Sequence, residues 1–276
     1  MAQNFGVGNR SDHYCSEFIS IIRNIFWQMK NICFILLFLL PFILEAQESI
    51  QTDRPDQTES VAITPKNFLQ IESGLLYEKT GDNSESYSHP TVLWKYGINE
   101  NFELRMVTEF NTERSENKNL SGLAPMTLGF KAKLAEEIKF LPAISFIGSL
   151  TLNKTGTQTF QTPYTAPAFR FLLQHTLSEK WSLGYNLGAE WNGESPDATG
   201  IYTLSAAYSL TEKLGAFAEF YGFLNKYQSA DHRFDAGFTY LLNDNLQIDA
   251  SSGLGISKIS PDYFLSCGIS YRFSTR

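Results

Sequence analysis

The stretch that most constrains the fold is the last one, Asp262 to Phe273. Its odd positions Tyr263, Leu265, Cys267, Ile269, Tyr271 and Phe273 are apolar or aromatic, and from Ser266 onward its even positions Ser266, Gly268, Ser270 and Arg272 are small or polar. A period of two puts one set on each face of a β-strand. Soluble sandwiches also alternate, but their buried faces are mostly aliphatic and their strands shorter. Here the apolar face carries aromatic rings at both ends, the pattern of a strand that crosses a bilayer with a ring at each interface. Such a strand so close to the C-terminus resembles the signal by which barrel-assembly machinery recognises its substrates.

Similar alternation recurs along the chain. Strands are expected at 67–79, 88–98, 102–113, 123–135, 140–152, 164–177, 181–192, 198–210, 214–226, 231–242, 245–255 and 262–273. Tight polar turns such as Asn99-Glu100-Asn101, Ser178-Glu179-Lys180 and Thr211-Glu212-Lys213 alternate with longer links at 80–87, 114–122 and 153–163. That asymmetry, with an even strand number, predicts an all-β fold: a transmembrane up-and-down antiparallel β-barrel of twelve strands with both ends on one side. No apolar run after residue 46 approaches the ~20 residues of a membrane helix, so membrane contact must come from strands.

Ahead of the barrel, Met29-Lys30-Asn31 and the apolar run Ile32 to Leu44 have the form of a secretory signal peptide over 29–46, with 1–28 as a mis-assigned extension. The alternative, a membrane anchor, suits the run less well, because it is short and Pro41 interrupts it. Cys15 and Cys33 fall in this leader, leaving Cys267 alone in the exported chain, so no disulfide framework, metal site or cofactor is expected. The net charge of −7 weighs against nucleic acid as a partner. The expected partners are outer-membrane lipid, the assembly machinery and a small solute.

Residues 47–66 are polar and proline-broken, a loop rather than a strand. The run Thr52-Asp53-Arg54-Pro55-Asp56-Gln57-Thr58-Glu59-Ser60, followed by Pro65-Lys66-Asn67-Phe68-Leu69-Gln70-Ile71-Glu72-Ser73-Gly74, resembles the MetA-pathway of phenol degradation family of outer-membrane proteins. Members are commonly labelled transporters. The resemblance therefore implies an exported barrel serving transport, with no catalytic motif to carry over. By position and composition, Asp53, Arg54, Pro55 and Asp56 are a candidate plug or gate at the mouth or lumen.

In this register Val92, Trp94, Tyr96, Leu128, Phe130 and Leu187 face outward. The inward set gathers the charges: Glu72, Glu103, Glu109, Glu190, Glu219, Asp235 and Asp249 with Lys95, Arg105, Lys131, Lys133, Arg170, Arg233 and Arg272. A hydrophobic core does not accept so many ionisable groups, whereas a lumen does. Their near balance argues against strong ion selectivity. Phe217, Tyr221 and Phe223 flank Glu219 on the same face, either as a path for an aromatic or apolar solute or as packing. Two functional readings stay open: a passive channel for small molecules, and a structural barrel closed by ion pairs. A third, a phospholipase-like hydrolase, requires a serine beside His89, His175 or His232, and no such motif accompanies them.

Overall fold

The computed structural model describes residues 49–81 and 83–276; the expected signal peptide and N-terminal extension lie outside them. The alternating runs form β1 Phe68–Thr80, β2 Ser84–Asn99, β3 Phe102–Ser115, β4 Lys118–Leu123, β5 Thr127–Ala135, β6 Ala143–Thr151, β7 Ala166–Thr176, β8 Trp181–Glu190, β9 Thr199–Ser209, β10 Leu214–Leu224, β11 Asp231–Asn243, β12 Leu246–Gly255 and β13 Tyr263–Ser274. Neighbours in sequence pair antiparallel, and β1 pairs with β13 from Phe68↔Ser274 to Lys79↔Tyr263, which closes the wall. β3 holds β5 along Phe102–Val107 and β4 along Phe110–Ser115. These two share one wall position, so the barrel has twelve strands.

Strand positions match the expected ones to within a few residues, with three corrections. The link expected over 80–87 is mostly strand, because β2 begins at Ser84. The link expected over 114–122 is a hairpin between β3 and β4. The expected strand 123–135 is interrupted at Ala124-Pro125-Met126, where proline has no N–H for the ladder. There the Ala124 N–H donates to the Glu109 carbonyl, and the Met126 N–H to the Thr155 hydroxyl.

The two faces reverse the usual order of a soluble protein. Of the ten largest fully buried side chains among the described residues, nine are polar, including Lys131, Glu72, Glu103, Glu219 and Asp235, and only Leu172 is apolar. Leu104, Leu128, Phe130, Leu187, Leu204, Phe234 and Ile269 are exposed on the outside. Rings collect at the two rims: Tyr77 packs on Tyr87 and Tyr263 at one, and Trp181 on Tyr208 and Tyr271 on Phe273 at the other. Phe130, Phe146 and Phe171 form a contiguous outer patch between them. An apolar belt between aromatic girdles is what a bilayer selects.

Candidate functional site: the lumen and its N-terminal segment

The segment before β1 runs inside the barrel. It enters at the rim that holds the C-terminus, where the Ile50 N–H donates to the Asp244 carbonyl in the turn between β11 and β12. It leaves past Gly97, where a Cβ would come within 2.1 Å of the Pro65 carbonyl oxygen, so the absent side chain is what lets the backbone cross the wall strand.

Asp53 organises the segment. Its carboxylate accepts from Lys95 Nζ at 2.9 Å, Arg105 Nη1 at 2.8 Å, Lys131 Nζ at 2.8 Å and the Ser60 N–H at 2.9 Å. Its own N–H donates to Glu72 Oε2 at 3.0 Å. Glu72 also pairs with Lys95, and Arg105 reaches Glu59 at 2.7 Å and Glu103 at 3.2 Å. Strands β1, β2, β3 and β5 thus aim alternate-face acids and bases at a single residue of the segment. Burial pushes the Asp53 carboxyl up, but Lys131, Lys95 and Arg105 more than reverse this and hold it well below the usual range.

Arg54 turns the other way. Its guanidinium pairs with Asp249 at 3.0 Å and donates to Ser266 Oγ at 3.0 Å. It lies in a slot made by Gly74 and Gly268, directly paired across the closing β1–β13 seam; a Cβ on either would fall within 2.4 Å of it. Asp56 differs from Asp53 and Arg54 in having a neutral partner in place of an opposite charge. Its partner is the Ser205 hydroxyl at 2.9 Å, and the acids Glu219 and Asp235 are nearby. Burial, then Glu219, pushes the Asp56 carboxyl well above its usual range.

The rest of the segment is held by Glu219 and by neutral polar groups that a search for charges alone passes over. Glu219 accepts from the Gln57 N–H at 2.7 Å and from the Thr58 hydroxyl. Asn186 Oδ1 accepts from the Glu59 N–H at 2.7 Å, and Ser145 Oγ donates to the Val61 carbonyl at 2.7 Å. The signal was present as polar residues on one face of their strands, but such residues also line lumens that hold only water.

The remaining inward candidates make local contacts. Arg233 bridges Asp231 and Glu78, and Arg170 donates to the Gln57 carbonyl and lies 3.8 Å from Glu190. Glu109 accepts from Thr91, and Arg272 donates to Asn245. Phe217 and Tyr221 are buried on the inner face, with Phe223 beside Tyr221. Between the segment and strands β7 to β12 a cavity of about 390 Å³ opens at the tight-turn rim, lined in part by Arg54, Asp56, Glu59, Ser205 and Phe217. The histidine rings engage Thr112, Tyr185 and Tyr202 rather than a serine.

Residues 52–273 match the family model described as "Putative MetA-pathway of phenol degradation". No curated protein matches the chain in sequence. A crystal structure of an outer-membrane channel from Pseudomonas putida F1 aligns with a TM-score of 0.60 at 13% identity, covering 81% of this chain and 100% of the other. A KdgM porin aligns at 0.53 with 11% identity, covering 74% and 99% of the two chains. A NanC porin aligns at 0.51 with 9% identity over 74% and 98%. At these identities the likeness is one of fold.

Proposed function

Because the chain belongs to the family described as MetA-pathway of phenol degradation, we propose that it is an outer-membrane channel for small molecules whose lumen is gated by residues 49–66. One observation carries the gate: a loop before the first strand lies in the lumen and is held by side chains from across the wall, with Asp53 at its hub. The outer face supplies the lipid contact, and the aromatic-ended strand β13 suits recognition by the assembly machinery. The channel and porin folds that the chain resembles favour a non-enzyme over a hydrolase. The family's description names a pathway, and phenol is not assigned as the solute.

The same ionic hub supports the competing reading, a structural barrel sealed by ion pairs, since paired buried charges resist separation. Single-channel recording of residues 47–276 in planar bilayers separates the two. The channel reading expects discrete conductance steps that enlarge when 50–62 is deleted. A folded, heat-modifiable barrel with no steps before or after the deletion assigns the sealed structural role instead.

A further inference from the structure

The lumen's charges balance in number but not in place. Toward β2, β3 and β5 the bases Lys95, Arg105 and Lys131 are spent on Asp53, Glu59, Glu72 and Glu103. Toward β9, β10 and β11, Asp56, Glu219 and Asp235 form no ion pair with any described residue; Arg170 is committed to Glu190 and the Gln57 carbonyl, and Arg54 to Asp249. The three acids stand side by side. Ser205, the donor to Asp56, lies directly across from Glu219, and Glu219 directly across from Asp235.

Asp235 is the telling member. It is 1% exposed, and no donor reaches either of its carboxylate oxygens; the polar group beside it is the Glu219 carboxyl, itself an acid. The buried Ser251 hydroxyl, on the same inner face of β12, is also without a hydrogen-bond partner. Folded proteins rarely leave such groups unmatched, because nothing replaces the water they lose. Aromatic rings flank the position. A Cβ on Gly237 would come within 2.5 Å of the Phe217 ring, and one on Gly253, directly across from Asp235, within 2.2 Å of the Phe264 ring. Tyr221 lies on the same inner face two residues beyond Glu219.

No group of three or more His, Cys, Asp or Glu side chains among the described residues is arranged to hold a metal ion. Carboxylates not arranged to hold a metal, with aromatic faces beside them, suit a larger and more diffuse cation. We propose that Asp56, Glu219 and Asp235 form the counter-ion site for an organic ammonium group, and that the lumen thereby selects positively charged small molecules. Asp56, Ser205 and Phe217 also line the cavity at the tight-turn rim, which supplies the approach. The raised Asp56 carboxyl fits the same picture, since a bound ammonium ion would take the place of a proton there. Solute selection rests on the channel reading; binding does not.

The test is calorimetric titration of tetramethylammonium chloride into the purified, refolded protein, with heat-modifiable migration confirming that each variant is folded. Saturable binding should weaken at least tenfold in Asp56→Asn and in Asp235→Asn and stay unchanged in Glu109→Gln, a lumen acid outside the site. Absence of saturable binding, or equal affinity in all four proteins, overturns the site. Reversal potentials across a potassium chloride gradient then read selection. A cation preference that falls toward unity in the two Asn variants supports it. A conducting barrel that prefers anions overturns selection and leaves the channel standing, whereas a silent barrel that still binds tetramethylammonium overturns the channel and leaves the site.

Discussion

At the scale of single residues, Asp53 is the one on which most depends. Replacing it with Asn leaves Lys95, Arg105 and Lys131 buried around a neutral amide, and breaking a buried ion cluster from one side costs about 3–5 kcal/mol. Urea unfolding of Asp53→Asn in lipid vesicles should show a loss of that order; a change below ~1 kcal/mol would mean the cluster is hydrated and weak. The pH dependence has a definite sign. A carboxyl whose folded pKa is depressed contributes stability above its unfolded value of about 3.9, and loses it as pH falls through the lower folded value. The segment should therefore stay docked from neutral pH down to about 4 and loosen only below that, as read by protease accessibility of residues 50–62. Loosening already near pH 6 would contradict the hub. The charge and position of Asp53 in the sequence suggested docking. Its three partners were legible only as inward residues, because pairing across four strands depends on register and barrel curvature.

At the scale of elements, alternation revealed strands where one face meets lipid and failed where both faces meet water. The upper part of β2 reads Ser84-Glu85-Ser86-Tyr87, with no continuous apolar face, and was therefore expected to be loop. It pairs with β1 and β3 all the same, because the ladder continues past the height at which lipid imposes a period. The β1–β13 seam carries a second feature hidden from pattern reading, since the Gly74 and Gly268 pair matters only for what fills it. In Gly268→Ala the new methyl must displace the Arg54 guanidinium and with it the Asp249 pair. Gly268→Ala and Arg54→Ala should each lower the unfolding midpoint, and the double variant should lose clearly less than their sum. Strict additivity would show that the arginine does not occupy the slot in solution.

At the scale of the whole molecule, the barrel exchanges the solvents of a globular protein: ionic inside, apolar outside. The count of twelve strands could be read from alternation, because lipid on one side and polar partners on the other enforce the period along the wall. The location of the segment could not, because a polar loop has the same composition in water as in a lumen. The exchange predicts that stability depends on depth rather than on residue type. Leu204 lies mid-strand on the outer face of β9, 48% exposed, and Leu210 just beyond its tight-turn end, 42% exposed. Near-equal exposure would make them equivalent in water. In a bilayer, Leu204→Arg places a cation near the midplane at a cost of about 2–4 kcal/mol, while Leu210→Arg at the interface costs about 0–1 kcal/mol. Reversible unfolding of both variants from phosphatidylcholine vesicles measures the gap directly. Equal losses would mean that the apolar belt does not sit at the height where the girdles place it, and the barrel's position in the membrane would have to be redrawn.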